Sequence, residues 1–256
     1  MSKTTKYRAE SLDLLTPRIE INQRCQDRDF QSWLQSRLNL QAGEKVLDLA
    51  CGDGAQSKLF DKRIGSSGKL KCVDIHEPSI SLLKQHIAPR ENRVFCIADM
   101  MDFDIYIEKE HYSLINCSFA LPYASNPEEV IIRLTQAVMK PMGRLAIALP
   151  CHPHGMVSFV QRFHSIPETV EPAINLGEKL CIGIFRRLYG EVDISYFNSK
   201  LTFSIAKDFM SLYRCTTYYS EAHDSAIEKH VSEAIEAKGE LAFSKSAILL
   251  IGRDPH

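Results

Sequence analysis

The sequence predicts an α/β protein built on a mostly parallel sheet with helices on both faces, and three observations predict it. Short apolar runs alternate with helix-like segments from residue 46 to residue 149. The first run, Val46-Leu-Asp-Leu-Ala50, breaks into a glycine loop and then into a helical segment. The polar residues with the most evident chemistry stand at the carboxyl ends of these runs, where open parallel sheets bind their ligands.

Taken in order, residues 1–43 read as two helical pieces divided near Thr16-Pro17. Phe30, Trp33, Leu34 and Leu38 form a helical stripe, with Asp27 or Asp29 as caps. Strand 46–50, helix 54–64, strand 69–74, helix 78–87, strand 93–97, strand 112–118, helix 127–140 and strand 143–149 follow. Gly65-Ser-Ser-Gly68 marks a turn, Pro78 a helix start, and Lys140-Pro-Met-Gly143 a helix stop. The pattern then changes. Cys151-His-Pro-His-Gly155 reads as a turn cluster, and residues 150–192 as a helical cap, too long for a plain connection between strands. Strand material at 193–198 and 200–204, a short helix at 205–212, a long helix at 220–238 closed by Gly239, and a strand at 244–251 complete the chain.

Length and composition fit one domain with an embedded cap, residues 1–256. The net charge of −1 gives no overall basic field for nucleic acid. The eight cysteines are scattered singly, so they read as small buried apolar residues in a reducing cytoplasm. The N-terminus is polar with no signal-like apolar run, and no stretch has the length of a bilayer span.

The glycine loop carries the functional argument. Gly52 and Gly54 suit the positive φ angles of a tight strand-to-helix turn, whose free N–H groups receive polar parts of a nucleotide-like ligand. A dinucleotide fingerprint has a third glycine at position 57, where this chain has Ser57. Asp48 and Asp53 flank the loop, repelling a pyrophosphate and suiting a ligand with an ammonium and a sulfonium. Asp74 follows Gly54 by 20 residues, the spacing of an acid that binds ribose hydroxyls.

Asp48-Leu-Ala-Cys-Gly-Asp-Gly54 resembles the glycine motif of class I S-adenosylmethionine-dependent methyltransferases. The resemblance continues through Asp74, Ala98-Asp-Met100, Asn116-Cys-Ser-Phe-Ala-Leu-Pro-Tyr123 and Leu134 to Pro150, covering residues 30–150. It implies a Rossmann-like, doubly wound, seven-stranded sheet with one antiparallel strand near the C-terminus, and a segment before the first strand that is either a lid including Tyr7 and Arg8 or a frayed surface tail. It implies S-adenosyl-L-methionine as cofactor and S-adenosyl-L-homocysteine as product. Asp48 would hold the methionyl ammonium, the backbone at Ala50, Gly52 and Gly54 would line the methionyl and ribose parts, and Asp74 would accept both ribose hydroxyls. Ile75 would pack on the adenine, Asp99 would accept from its amine with Met100 beside it, and Asn116, Cys117 and Ser118 would lie under the methionyl group.

Methyl transfer needs alignment more than acid–base chemistry. The resembled family often has a histidine where Pro122 stands, so a base role there does not transfer. His152 and His154, after the fifth strand, are the candidate proton acceptors, with Tyr123 as a further acceptor contact. A metal reading of the two histidines lacks a third ligand. Phe197, Phe203, Phe209, Tyr213, Tyr218 and Tyr219 supply either core or an acceptor wall. The expected function is methyl transfer to a small organic acceptor at an oxygen, with no nucleic acid or membrane as partner. The rivals are methylation of protein or RNA, a catalytically inactive nucleoside-binding partner protein, and NAD-dependent oxidation, against which Ser57 and the acidic loop count. Oligomeric state leaves no mark in the sequence.

Overall fold

The computed structural model describes residues 12–107, 111–139 and 141–256, so Tyr7 and Arg8 lie outside the described residues. Its strands are β1 (Lys45–Leu49), β2 (Lys69–Asp74), β3 (Arg93–Ile97), β4 (Leu114–Ser118), β5 (Arg144–His154), β6 (Tyr189–Phe203) and β7 (Leu241–Pro255). They form one sheet in the order β3-β2-β1-β4-β5-β7-β6, parallel through β5, with β7 antiparallel. The order reverses between β1 and β4, the switch point where such sheets bind ligands.

The helices are α1 (Leu12–Cys25), α2 (Phe30–Leu38), α3 (Ala55–Ile64), α4 (Glu77–His86), α5 (Phe103–Tyr106), α6 (Pro127–Gln136), α7 (Gly155–Val160), α8 (Val170–Leu176), α9 (Ile182–Leu188), α10 (Ala206–Arg214) and α11 (Asp224–Lys238). A π-helical turn, Gly177–Cys181, joins α8 to α9. The chain divides into two compact units: a larger one of residues 31–149, 176–196 and 248–256, and a smaller one of residues 1–30, 150–175 and 197–247. The helical segment after β5 is thus shared between the two units.

In the larger unit, Val46, Leu47 and Leu49 are fully buried, which makes β1 a central strand, and Asp48 is its one buried polar residue. α6 shows how local sequence sets an element. Pro127 occupies its first turn, and the Asn126 side chain accepts the Glu129 N–H at 3.2 Å. Val130, Ile131 and Leu134 then bury one face, each contributing roughly 1.5–3 kcal/mol. Arg144 opens β5 with a two-pronged pair to Glu44 at 2.9 and 3.2 Å and a bond to the Leu38 carbonyl at 2.9 Å. Buried Arg93 opens β3, pairs with Asp61, and donates to the Gly65 and Gly68 carbonyls, fixing the turn before β2.

The smaller unit has its own core. Phe159, Phe203, Phe209 and Phe243 pack ring against ring, joined by Met156, Tyr213, Tyr218, Ile227 and Val231. Phe203, Phe209, Tyr213 and Tyr218 therefore serve the core, and Phe197 packs edge-on to Phe30.

Two local readings of the sequence are corrected. α1 runs through Pro17 without dividing. The one lost backbone bond is offset by burial of Ile21 and by the Arg24–Asp208 ion pair to α10. The turn read at 151–155 is strand as far as His154. The ladder between β4 and β5 ends at Ser118–Ala148, so Pro153 removes no bond from it. The break between the two N-terminal helices falls instead between Cys25 and Phe30.

Candidate active site

Asp48 and Asn116 are register partners on neighbouring strands β1 and β4, so their side chains leave the sheet on the same face. Asn116 Nδ2 donates to Asp48 Oδ1 at 2.8 Å and to Gln56 Oε1 at 2.9 Å. The Ser57 hydroxyl, on the first turn of α3, donates to Asp48 Oδ2 at 2.5 Å. Both carboxylate oxygens are thus held, and Asp48 itself is 1% exposed. Burial pushes the Asp48 carboxyl up to about 6; the bonds from Ser57 and Asn116 pull it down, and the charge of Asp74 pushes it further up.

Between β1 and α3 the backbone turns through left-handed conformations at Ala50 (φ 54°), Gly52 (φ 57°) and Gly54 (φ 76°). Ala50 adopts this without being glycine, at a cost of roughly 1–2 kcal/mol. A Cβ on Gly54 would stand 2.2 Å from Leu83 Cδ1, so the start of α3 is seated against α4. Asp74, at the end of β2, braces the loop: Oδ2 accepts the Gly52 N–H at 2.8 Å and Oδ1 the His76 N–H at 2.9 Å. Each oxygen keeps a further lone pair for a ligand hydroxyl. Ile75 follows with 46% of its surface exposed, an apolar face at a strand end.

After β3, Asp99 Oδ1 accepts the Met101 N–H at 2.9 Å, and the Asp99 N–H donates to Asp102 Oδ2 at 3.1 Å. The Met100 carbonyl accepts from the Tyr106 hydroxyl. At the end of β4, the Ser118 hydroxyl donates to Asn116 Oδ1 at 3.2 Å. Cys117 is buried, which pushes its thiol up to about 12 and leaves it inert. Tyr123 is half-buried in the single 3₁₀ turn Leu121–Tyr123.

All of these residues belong to the larger unit, and His152 and His154 belong to the smaller one. The exposed His152 places Nε2 2.9 Å from Glu171 Oε1. His154 has its Nδ1 buried without a hydrogen-bond partner, and burial, then the charge of Lys245, push its ring down to about 4. Sequence reasoning missed three residues. Ser57 was seen only as an absent glycine, although a hydroxyl on the first turn of the helix that follows an acidic strand is a legible signal. Gln56 shares in holding Asn116. Phe119 carries a positive φ of 59° with 38% of its surface exposed at the end of β4, and no residue type announces that.

The donor set fits S-adenosylmethionine. The carboxylates of Asp48 and Asp74 stand beside a loop whose Cys51, Gly52 and Gly54 N–H groups already donate within the fold, which suits hydroxyls and an ammonium and disfavours a pyrophosphate. Among the described residues no group of three or more His, Cys, Asp or Glu is placed to hold a metal ion, and no helix is long and apolar enough to cross a membrane.

Comparison with known proteins gives the class. Residues 40–188, more than half of the chain, match the family described as methyltransferase domain. The chain belongs to that family, the class I S-adenosylmethionine-dependent methyltransferases. A ubiquinone/menaquinone biosynthesis C-methyltransferase of Paraburkholderia phymatum is 25% identical over 123 residues, 47% of this chain and 49% of that protein. The chain therefore spans about half the length of the curated relatives it matches. A solved protein of Bacillus halodurans C-125 superposes with a TM-score of 0.61 at 16% identity, covering 89% of this chain and 99% of that one. The YcgJ protein of Bacillus subtilis gives 0.57 at 15%, covering 88% and 98%. At such identities the likeness is one of fold.

Proposed function

We propose that this chain transfers a methyl group from S-adenosylmethionine to an oxygen of a small organic acceptor. When bound, S-adenosylmethionine supplies a methyl carbon activated by an adjacent sulfonium. Asp74 accepts the ribose hydroxyls, Asp48 offers its charge to the methionyl ammonium, and the backbone at Ala50, Gly52 and Gly54 lines the ligand between them. Ile75 and Met100 give the adenine apolar contact, and Asp99 accepts from its amine. Asn116 and Ser118 form the floor under the methionyl group.

The observation that carries the choice of oxygen is the His152–Glu171 pair. With Nε2–H donating to the carboxylate, the Nδ1 lone pair of His152 is left to take a hydroxyl proton, and Glu171 stabilises the imidazolium that results. Tyr123 supplies a further acceptor contact. His154 is a weak base with its ring pushed down to about 4, which counts against it as the proton acceptor. The net charge of −1 supports a small molecule over a nucleic acid.

A second reading is transfer to carbon, favoured by the name of the Paraburkholderia phymatum relative. An acceptor panel of phenols, hydroxy acids and hydroquinones, with the methylated atom found by NMR, separates the two. His152→Ala should lower turnover roughly 10²- to 10⁴-fold with the KM for S-adenosylmethionine unchanged. Carbon-methylated product, or full turnover in His152→Ala, would displace the oxygen reading.

A further inference from the structure

The smaller unit holds a group of basic side chains that the methyl-transfer reading does not use. Arg18 and Asn22 lie one turn apart on α1, with Asn22 Nδ2 donating to the Arg18 carbonyl at 2.6 Å. Asn22 Oδ1 in turn accepts from Lys245 Nζ, on β7, at 2.6 Å. His154 ends β5, and its buried Nδ1 has no hydrogen-bond partner. Arg18 and Asn22 share one face of α1 at i and i+4, and a Cβ on Gly155 would stand 2.9 Å from the Ser244 N, so the adjoining His154 and Lys245 are neighbours. In keeping with this, Arg18 repels the Lys245 ammonium and Lys245 the charged form of His154.

Among the described residues, neither Arg18 nor Lys245 forms an ion pair. Glu171 also acts on His154, but its Oε1 is engaged by His152 and by Asn175 Nδ2 at 3.1 Å. Packing like charges together with only an amide oxygen as partner destabilises a fold, and such groupings are candidates for a functional site. A guanidinium, an ammonium and an imidazole together supply forked and single N–H donors, the set that recognises an oxyanion.

We propose that Arg18, Lys245 and His154 form a binding site for the oxyanion of a small molecule, a carboxylate or a phosphate. An anion there satisfies the His154 ring nitrogen with a shared proton and pairs the ammonium that Asn22 only orients. Every residue of the site lies in the smaller unit, so the proposal stands independently of the cofactor site.

The test is calorimetric titration of the full chain at pH 7 with benzoate and, separately, with inorganic phosphate. Saturable binding of benzoate assigns a carboxylate and of phosphate a phosphoryl group. The heat should depend on the buffer's ionisation enthalpy, because Lys245 takes up a proton on binding. Lys245→Met and Arg18→Gln should each weaken binding roughly 10- to 100-fold, and Lys245→Arg should retain most of it. S-adenosylhomocysteine affinity, measured on the same proteins, should be unchanged and reports that they fold. Absence of saturable heat with both anions, or unaltered affinity in both Lys245→Met and Arg18→Gln, would overturn the proposal.

Discussion

Asp48 in the larger unit and Lys245 in the smaller one are both ionisable groups moved toward neutrality by burial, to about 6 and about 7. Their surroundings differ. Asp48 has a donor on each oxygen, from Ser57 and Asn116, and so remains a rigid acceptor. Lys245 has a single amide oxygen, from Asn22, and a like charge beside it in Arg18. Satisfied burial of an acid fixes a site in advance of its ligand, whereas the poorly compensated cation keeps its binding capacity for a partner of opposite sign. The two also tilt the pH dependence of stability in opposite directions.

The largest effect that tests this contrast falls on Asp74, which both braces the Gly52 N–H and is proposed to face the ribose. Asp74→Ala should weaken S-adenosylhomocysteine binding by ~3–5 kcal/mol, two charged hydrogen bonds and the loop support together, measured by calorimetry. An unaltered affinity would remove the cofactor assignment.

Next comes Lys245. Its folded-state pKa lies below the unfolded value of 10.5, so the unfolded chain binds more protons between about 7 and 10.5. Stability therefore rises with pH through that window, and the cost is fully present below it. Lys245→Met should stabilise the anion-free protein by ~2–4 kcal/mol at pH 7, with the gain fading toward pH 10.5 in denaturant titrations.

Asp48 behaves in the reverse sense. Its folded pKa of about 6 exceeds the unfolded 3.8, so the folded chain binds more protons between these values and stability falls as pH rises through them. Asp48→Asn should raise the stability of the ligand-free protein by ~1–3 kcal/mol at pH 7 while weakening cofactor binding. In the unaltered protein, S-adenosylhomocysteine affinity should climb from pH 5 to pH 7 and then level off. Parallel pH profiles for Lys245→Met and Asp48→Asn would break the comparison. The smallest effect is that of Ser57→Ala, which removes one donor from Asp48 and should cost ~1–2 kcal/mol of cofactor affinity at pH 7.

The architecture was legible because hydrophobic period and turn chemistry agree along the chain from β1 to β5. The glycine motif, Asp74 and Asn116 were legible for the same reason, each standing at the end of an unmistakable apolar run. Pro17 and Pro153 misled the reading, because a proline's local cost is overridden where its missing N–H removes little. The two histidines, spaced by two, promise a shared face, yet His152 is exposed and the His154 Nδ1 is buried, with Pro153 between them. Lys245 gave no signal at all, since a lone lysine in an alternating strand reads as solvent-facing.

The Asp48–Asn116 bond joins residues 68 positions apart in the chain. A nascent polypeptide released as far as the second crossover holds the glycine loop and Asp74 but lacks the strand that completes them. Cofactor can therefore lend no thermodynamic help until synthesis has passed β4, and a truncated chain ending before Leu114 should neither bind it nor be rescued by it.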